Sequence, residues 1–352
     1  MDNLRYVLKE QCEKYPRMEI SDFLKLIYQN EMAGGHMIKD KPSALSFLEE
    51  EAAEVSPAFK SCDNLGNDMA RVYLCDIMAR KIPLPYLLEA FIFTANRHKG
   101  NLDLLKEKLS IFYDMVKEKE LPLDIEEVTE ALKAYREKGF PAIHHSEAFR
   151  KNYAPHYRVV YRKFAEILPV LERAVELKKE KRRVTIVIDG RCGSGKSTCA
   201  DYIAEVLKCP VIRADDFFLP PEKRTAERLS QAGGNINYEY FKETVADAVK
   251  ENRIVKYRPF DCHAMAFREE ISFPESDFLV VEGSYSHHPY FGSYGDIRVF
   301  SDIAPDFQKE RIEERNGDFA VNFFTRWIPM EEKYFSAYNI KEKAEIIIKA
   351  ER

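Results

Sequence analysis

Apolar residues in the first half of the chain recur every three or four positions, which is the spacing of amphipathic helices. The segment 85–96 is apolar on nearly all sides and therefore predicts a helix buried in a bundle. Gly139 stands where the last of these periodic segments should stop. The positions that follow helical spacing most closely are Phe23, Leu24, Ile27 and Tyr28, then Leu102, Leu105, Leu109, Phe112 and Met115, and then Ile125, Val128, Leu132 and Tyr135.

A further helical stretch is predicted after Ser146, running on through Val159. Pro155 and Pro169 are expected to break or kink it, because proline lacks a backbone donor and crowds the preceding turn. Together with the earlier helices, this pattern predicts that residues 1–180 form an all-α domain. Nothing in these residues indicates what that domain does.

The pattern changes after the charged run 178–183. A β-branched stretch follows at once, and from there strand patterns alternate with helical ones. Such alternation predicts a parallel sheet covered by helices on both faces, so residues 181–352 are predicted to form an α/β domain. The predicted strands begin at Val184 and continue with Pro210–Arg213, Phe278–Val281, Ile297–Phe300 and Ala344–Ile348.

The end of the first predicted strand carries a phosphate-binding motif of the P-loop NTPases. The residues from Gly190 to Ser197 match G-x-x-x-x-G-K-[ST], in which glycines let successive backbone N–H groups face the same anionic oxygens. The helix predicted from Lys196 to Lys208 directs its positive end at the same place. Lys196 is predicted to reach the β- and γ-phosphates of ATP, and the Ser197 hydroxyl to bind Mg²⁺. The predicted nucleotide-binding residues are Gly190, Arg191, Cys192, Gly193, Ser194, Gly195, Lys196, Ser197 and Thr198.

Two later strands end in carboxylates. Asp215 and Asp216 follow the second strand, and Glu282 ends the third. Ligands of doubly wound sheets bind beyond the carboxyl ends of the strands, so these side chains are expected near the phosphates. Asp215 is predicted to accept the proton of an attacking hydroxyl or to help hold Mg²⁺, while Asp216 should point the other way. Glu282 is predicted to bind Mg²⁺ together with Ser197.

The second half contains the segments 215–218 (DDFF), 258–261 (RPFD) with Arg268, 280–283 (VVEG) and 308–316 (QKERIEERN). In this order they resemble the motifs of one kinase family, the uridine kinase and phosphoribulokinase group. The resemblance covers about 170 residues, from Val184 onwards. The first segment is similar to the family's D-S-F-Y, the second to its P-x-Y-D…R motif, the third to its strand ending in E-G, and the fourth to its arginine-rich lid.

The resemblance implies an ATP-dependent kinase of the α/β P-loop fold, in which a small hydroxyl compound accepts a phosphoryl group from ATP with the help of Mg²⁺. Asp215 would be its catalytic base. Uridine or cytidine is the acceptor that the family suggests, but residues 234–238 depart from the family's segment near the sugar, so the acceptor stays open. The residues implied in acceptor binding are Asp216, Arg258, Asp261 and Arg268.

A lid over the phosphates is predicted from Arg311 and Arg315, which are four residues apart and so share one face of a helix. Such a pair can neutralise the charge that spreads over a transferring phosphoryl group. Either arginine could instead pair with the glutamates around it on a solvated helix. Trp327, Glu331 and Tyr334 fall on a later helix, where family members also carry an aromatic and acidic helix.

The bulk composition limits the classes of function. The net charge is −5 with the signs mixed along the chain, which argues against a protein that coats nucleic acid. The seven cysteines form no CxxC pair. No apolar run approaches the roughly 18 residues of a membrane helix. The chain is therefore predicted to be cytoplasmic, with a small-molecule substrate and no nucleic-acid or membrane partner.

A second class of function stays open beside the kinase. The α/β domain could be a regulatory ATPase whose nucleotide state switches the helical domain, with hydrolysis in place of transfer. Asp215 and the lid arginines favour the kinase, whereas the large helical domain favours the switch. That domain could also cap the active site or mediate the formation of a homodimer. Two groups could be imagined as metal ligands, either His144 and His145 with His156 or Glu31 with His36, but the sequence gives no sign that the members of either group converge.

Overall fold

The computed structural model describes residues 2–350, with the side chains of residues 4–350. The chain divides into two compact units, 1–165 and 166–352. The helices of the first unit are α1 (Asp2–Lys14), α2 (Ile20–Met32), α3 (Lys41–Ala53), α4 (Leu74–Ala79), α5 (Leu84–Arg97), α6 (Leu102–Lys117), α7 (Ile125–Glu137) and α8 (Glu147–Tyr153), followed by α9 (Arg162–Lys178), inside which the division falls. Its strands are β1 (Asp63–Gly66), β2 (Met69–Tyr73) and β3 (Tyr157–Tyr161).

The apolar positions predicted for the helices of the first unit form its core. Phe23 and Ile27 of α2 are buried, as are Phe112 of α6 and Val128 of α7. Phe23 and Phe112 stack with their ring centroids 5.5 Å apart. The helical periodicity therefore identified the faces that pack together.

The first unit also contains an antiparallel sheet of strand order β1-β2-β3, so the prediction of an all-α domain is wrong. Every residue of β2 is buried, and a strand buried on both faces shows no alternation of apolar and polar residues. The turn between β1 and β2 contains Asn67 and Asp68, which have φ angles of 49° and 57°. Asn and Asp tolerate left-handed backbone, and they are therefore common in the turns of β-hairpins.

The stretch after Ser146 is not one long helix. Ser146 caps α8 as a helix start should, but Ala154 adopts φ 42° and the chain then enters β3, which contains Val159. Ala154 precedes Pro155, and a residue before proline is disfavoured in helical backbone. The helix α9, in contrast, runs through Pro169. The division between the units lies within α9 and not at residue 180.

The second unit is built on a five-stranded parallel sheet of order β12-β11-β4-β10-β5, as the alternating pattern predicted. All residues of β4 and β10 are buried, as expected for central strands covered on both faces. The strands of this unit are β4 (Val184–Gly190), β5 (Val211–Arg213), β6 (Lys256–Tyr257), β7 (Phe260–Asp261), β8 (Ala266–Phe267), β9 (Ile271–Ser272), β10 (Phe278–Glu282), β11 (Ile297–Ile303) and β12 (Ile346–Ala350). β6 pairs with β9, and β7 with β8, in two small antiparallel hairpins.

Helices join the parallel strands and place the ends of β4, β5 and β10 at one edge of the sheet. In the register, Glu282 at the end of β10 lies beside Arg213 at the end of β5. Within the described residues, no helix combines the length and apolarity that crossing a bilayer requires. The helices are α10 (Lys196–Leu207), α11 (Ala226–Ser230), α12 (Tyr238–Phe241), α13 (Asp247–Lys250), α14 (Pro305–Asn316), α15 (Ala320–Asn322) and α16 (Ile328–Tyr338).

Candidate active site

The P-loop motif lies between β4 and α10, at the carboxyl edge of the sheet. β4 ends at Gly190, whose φ is +138°, and an added Cβ there would collide with the Ser301 backbone of β11. Only glycine fits both the backbone conformation and the close approach. α10 begins at Lys196, so the positive end of its dipole lies at the loop. A turn of this kind followed by a helix start is the arrangement that binds phosphate groups.

Lys196 lies across the loop. Its ammonium group donates to the carbonyl oxygens of Gly190 at 2.8 Å and Arg191 at 3.0 Å. Thr198, at the start of α10, is exposed. The hydroxyl of Ser194 is buried, and no residue in the described chain bonds to it. The loop therefore holds polar side chains whose bonding capacity is not used within the unit.

Two predicted Mg²⁺ ligands lie together. The Ser197 hydroxyl is 3.3 Å from one carboxylate oxygen of Glu282, and the other oxygen accepts a hydrogen bond of 2.7 Å from Arg213. Burial raises the pKa of Glu282, and the bond from Arg213 opposes this shift. Oxygen donors suit Mg²⁺, which keeps several waters and takes one or two carboxylates beside phosphate oxygens. Across residues 2–350, no group of three or more His, Cys, Asp or Glu side chains is placed to hold a metal by itself.

Asp216 is bonded to Tyr257 of β6. Asp215 and Asp216 lie in a 3-10 turn, Ala214–Phe217, and not in a continued strand, so the predicted alternation of their directions does not apply. The carboxylate of Asp216 accepts a hydrogen bond of 2.7 Å from the hydroxyl of Tyr257. Burial raises the pKa of Asp216, and the bond from Tyr257 opposes the shift.

Asp215 has a different environment. Its side chain is exposed on one side and forms no hydrogen bond within the part of the chain that the structure describes. The surrounding protein raises the pKa of Asp215, first through lost hydration and then through the charges of Glu331 and Asp216. The charge of Lys196 acts in the opposite direction and lowers the pKa of Asp215. An accessible carboxylate without a partner can act as a base.

The three other predicted acceptor residues lie together at the hairpin of β7 and β8. Asp261 forms an ion pair with Arg268, and Arg258 donates to the carbonyl oxygen of Arg268 at 2.8 Å. The backbone N–H groups of His263 and Ala264 also donate to Asp261, at 2.8 and 3.1 Å. The bond from Ala264, then those from Arg268 and His263, lower the pKa of Asp261 to about 2. The hairpin therefore presents an ionised carboxylate and two guanidinium groups in one place.

A neighbouring segment contains buried groups without partners. The backbone of Asn235 and Asn237 pairs with residues 217–219, directly after the Asp215 turn. The side-chain oxygens of both asparagines are buried, and neither bonds to any residue that the structure describes. Buried amide oxygens are normally hydrogen-bonded, so these two are candidates for contact with a ligand. The sequence had marked this stretch only as a departure from the family.

The helix α14 packs against the P-loop. Gln308 donates to the carbonyl oxygen of Cys192 at 2.8 Å, and Arg311 donates to that of Gly193 at 3.2 Å. Arg315, one turn later, is exposed. Of the two predicted lid arginines, only Arg311 bonds to the P-loop.

The side chain of Arg191 is used elsewhere, although the residue lies in the motif. Its guanidinium group forms ion pairs with Asp302 and Glu332. Burial and the charge of Glu331 raise the pKa of the Cys192 thiol to about 12, so this thiol is neutral at physiological pH. Arg191 and Cys192 can therefore serve a nucleotide through their backbone rather than through charged side chains.

Sequence reasoning missed Asp189, which links the P-loop to the loop after β10. The buried Asp189 carboxylate accepts from the backbone N–H groups of Gly190 at 2.7 Å, Tyr285 at 3.2 Å and His287 at 2.9 Å. The hydroxyl of Tyr334 donates a fourth bond of 2.8 Å. Burial raises the pKa of Asp189, and these bonds oppose the shift. The signal available was an aspartate inside an apolar strand, immediately before the first glycine of the motif.

Sequence reasoning also assigned no role to Glu331, although it placed the residue on an acidic helix. The buried Glu331 carboxylate accepts a hydrogen bond of 3.0 Å from the backbone N–H of Cys192. The hydroxyl of Ser284 donates to its other oxygen at 2.5 Å. The Glu331 carboxylate therefore occupies the backbone donor of Cys192, one of the predicted nucleotide-binding residues.

The five-stranded parallel sheet, the P-loop after β4 and the surrounding helices define a P-loop kinase-like fold in the second unit. No protein-family model matches the chain, and the search of curated proteins found no match. Among solved structures, the chain is similar to one described as a possible uridine kinase from Bacillus stearothermophilus. The two are 17% identical with a TM-score of 0.38, and the match covers 51% of this chain and 99% of the other.

Proposed function

We propose that this protein is an ATP-dependent phosphotransferase that phosphorylates a hydroxyl group of a small molecule. The observation that carries the proposal is the Asp215 carboxylate, which is exposed, has no partner among the described residues and follows β5 at the same edge of the sheet as the P-loop. A base beside a P-loop can accept the proton of an attacking hydroxyl.

In this proposal the phosphates of ATP bind to the backbone of residues 190–198. Lys196 would exchange its two loop carbonyls for phosphate oxygens, and Arg311, bonded to the loop, would add positive charge. Ser197 and Glu282 would hold Mg²⁺, which neutralises charge on the phosphates when it is bound.

Transfer would then proceed in line. The hydroxyl oxygen of the acceptor forms a bond to the γ-phosphorus while the bond to the oxygen between the β- and γ-phosphorus atoms breaks, and ADP leaves. The proton of the hydroxyl passes to Asp215. The raised pKa of Asp215 supports this role, because a pKa nearer to neutral pH makes the carboxylate a stronger base than an ordinary aspartate.

The acceptor in this proposal is a polar compound with several hydroxyl groups. The unpartnered oxygens of Asn235 and Asn237 can accept hydrogen bonds from such a compound. The cluster of Arg258, Asp261 and Arg268 offers both donors and an acceptor. Uridine or cytidine is the first candidate, because the sequence motifs resemble the uridine kinase group.

The test is a screen of acceptors with ATP labelled in the γ-phosphate and Mg²⁺. Pyrimidine nucleosides come first, followed by pantothenate, sugar phosphates and glycerate. The proposal expects the label to move to one of these compounds. If the label appears only as inorganic phosphate, and its release changes when the first unit is altered, the protein is the regulatory ATPase instead.

A further inference from the structure

Lys25 on α2 is a partly buried lysine without a carboxylate partner. Its ammonium group donates one hydrogen bond of 2.7 Å to the carbonyl oxygen of Ile143, and no ion pair of the described residues includes it. An ammonium group has three donors, so two of them are free. Burial lowers the pKa of Lys25 to about 8; the charge of Arg71 adds to this shift and that of Asp22 opposes it.

Two histidines flank this lysine. His144 follows Ile143, whose carbonyl oxygen binds Lys25. The ring of His36 packs edge-on against Tyr28, with ring centroids 5.6 Å apart, and Tyr28 lies one turn after Lys25 on α2. Partial burial, then the charges of Lys25 and His144, lower the pKa of His36. Both histidines are exposed, and neither forms a hydrogen bond within residues 4–350.

The acidic groups near this cluster are already occupied. Asp22 stabilises the charge of Lys25, but its oxygens accept from the ring of His145 at 2.7 Å and from the hydroxyl of Ser146 at 2.7 Å. Glu31, on the same helix, is bound in an ion pair of 2.5 Å with a lysine of α6. The cluster of Lys25, His36 and His144 therefore keeps free donors and a positive charge.

We propose that Lys25, His36 and His144 bind the phosphate group of a small molecule. The three side chains belong to three elements of the unit, namely α2, the 3-10 helix Gly35–Met37 and the segment before α8, which are joined by the contacts of Lys25 with Ile143 and of His36 with Tyr28. Three separate donors match the three terminal oxygens of a phosphate monoester, and Arg71 adds positive potential. This site belongs to the first unit and does not depend on the kinase proposal.

The binding test uses the full-length protein with Lys196→Ala, a substitution introduced to weaken any phosphate binding at the P-loop. Inorganic phosphate is titrated calorimetrically into this protein and into the same protein with Lys25→Met. Loss of a charge-assisted bond should lower the affinity of the site roughly ten- to hundredfold. Lys133→Met removes the same charge from an exposed lysine of α7 and should leave the affinity unchanged. Equal affinity in the Lys25→Met and Lys133→Met proteins would overturn the proposal.

The NMR resonances of the His36 and His144 imidazole rings show where phosphate binds. The variants His36→Gln and His144→Gln assign these resonances, because each variant lacks one of them. Phosphate should raise the pKa of His36, because a nearby anion stabilises the protonated ring. Acetate at the same concentration should shift the pKa less. If acetate shifts it as much as phosphate, the ligand is a carboxylate and the phosphate assignment is wrong. If neither anion moves these resonances, there is no anion site.

Thermal unfolding separates a binding lysine from a structural one. Lys25→Met removes a desolvated cation from a group of like charges, so it should raise the melting temperature in the absence of phosphate and abolish the stabilisation that phosphate gives. A melting temperature lowered by several degrees would mean that the bond from Lys25 to Ile143 holds α2 in place, and the proposal would fail.

Discussion

The two units each contain a dense set of polar side chains, and the sets differ in how fully their bonding groups are used. In the first unit the polar side chains hydrogen-bond to one another in a continuous network, here called the closed set. Asp22 bonds to His145, His145 to the hydroxyl of Tyr157 at 2.6 Å, and Tyr157 to Gln29 at 3.1 Å. Gln29 accepts two bonds from the fully buried Arg71, at 3.0 and 2.7 Å. Each of these side chains has a partner in the same unit.

At the P-loop edge of the second unit several polar groups have no hydrogen-bond partner among the residues that the structure describes, and these groups are here called the open set. The Ser194 hydroxyl and the side-chain oxygens of Asn235 and Asn237 are buried without partners in the described chain, and Asp215 is exposed and unpartnered. Unpaired buried polar groups cost free energy, so such groups are expected where a bound ligand supplies the missing hydrogen bonds. The comparison indicates that the closed set stabilises the fold of the first unit, whereas the open set is available to bind ligands.

The largest expected effect comes from Asp215→Asn, which keeps the shape of the side chain and removes the base. Transfer to the best acceptor should fall by roughly two to four orders of magnitude, while the affinity for Mg·ATP changes little. Asp216→Asn is the matched control and should reduce transfer less, because Asp216 is bonded to Tyr257. Undiminished transfer in Asp215→Asn would mean that another carboxylate is the base, with Asp261 the next to test.

The pH dependence of transfer by the native protein checks the same residue. Because the folded protein raises the pKa of Asp215, kcat/KM should fall with decreasing pH already above the usual aspartate range. The same shift means that the folded state prefers the protonated carboxyl, so its contribution to stability is lost as pH rises through the raised pKa. Asp215→Asn should therefore melt at a higher temperature than the native protein at pH 7, with the difference shrinking below about pH 4.

Lys196→Ala removes the ammonium group of the P-loop, which donates to two carbonyl oxygens of the loop. Turnover should fall by roughly two to three orders of magnitude, since the ammonium group is placed to stabilise charge on the phosphates. Lys179→Ala, an exposed lysine of the same unit, is the control and should keep full activity. Turnover and ATP affinity equal to those of the native protein would contradict the P-loop assignment.

The closed set should respond through stability instead. Arg71→Met removes two hydrogen bonds to Gln29 and the 3.8 Å ion pair with Asp63, which keeps its 2.6 Å pair with Lys14, so the free energy of unfolding should fall by about 1–3 kcal/mol. Urea unfolding followed by circular dichroism measures this. Lys106→Met breaks an exposed pair in the same unit and should cost less than about 1 kcal/mol. If Arg71→Met and Lys106→Met lower the free energy of unfolding by the same amount, the closed set does not stabilise the fold.

The smallest effect is expected at Glu331→Gln. The substitution removes a negative charge from the P-loop donor of Cys192, so the affinity for ATP should rise roughly three- to tenfold, and that for ADP less. Glu332→Gln, the next residue, pairs with Arg191 outside the open set and serves as control. If ATP and ADP both bind more weakly to Glu331→Gln, the carboxylate supports the loop and does not oppose the nucleotide.

The sequence predicted the second unit better than the first. In the second unit, long buried strands alternate with helices around a motif of fixed spacing, so β4, β10 and β11 were identified close to their observed ends. In the first unit, β1 and β2 are four and five residues long, and burial of all of β2 removes its alternation. Short strands of this kind are defined by their partners rather than by local pattern.

The candidate site shows a similar limit. The motif identified Gly190 to Thr198 as a group, because its spacing encodes a backbone shape. Which side chains bond to one another depends on tertiary contacts, so the ion pairs of Arg191 and the bond from Glu331 to the loop could not be read from spacing. The bonds of Asp189 likewise join residues about a hundred positions apart.

Hydrogen exchange with and without Mg·ATP tests the contrast between the open and closed sets most directly. Amide exchange should slow in peptides that cover 190–198, where the nucleotide completes the open set. Peptides of β2 and β3, which carry Arg71 and Tyr157, should already be protected and should not change. Protection that appears in β2 and β3 and not in 190–198 would contradict the account, because the nucleotide would then bind to the set that the structure shows as closed.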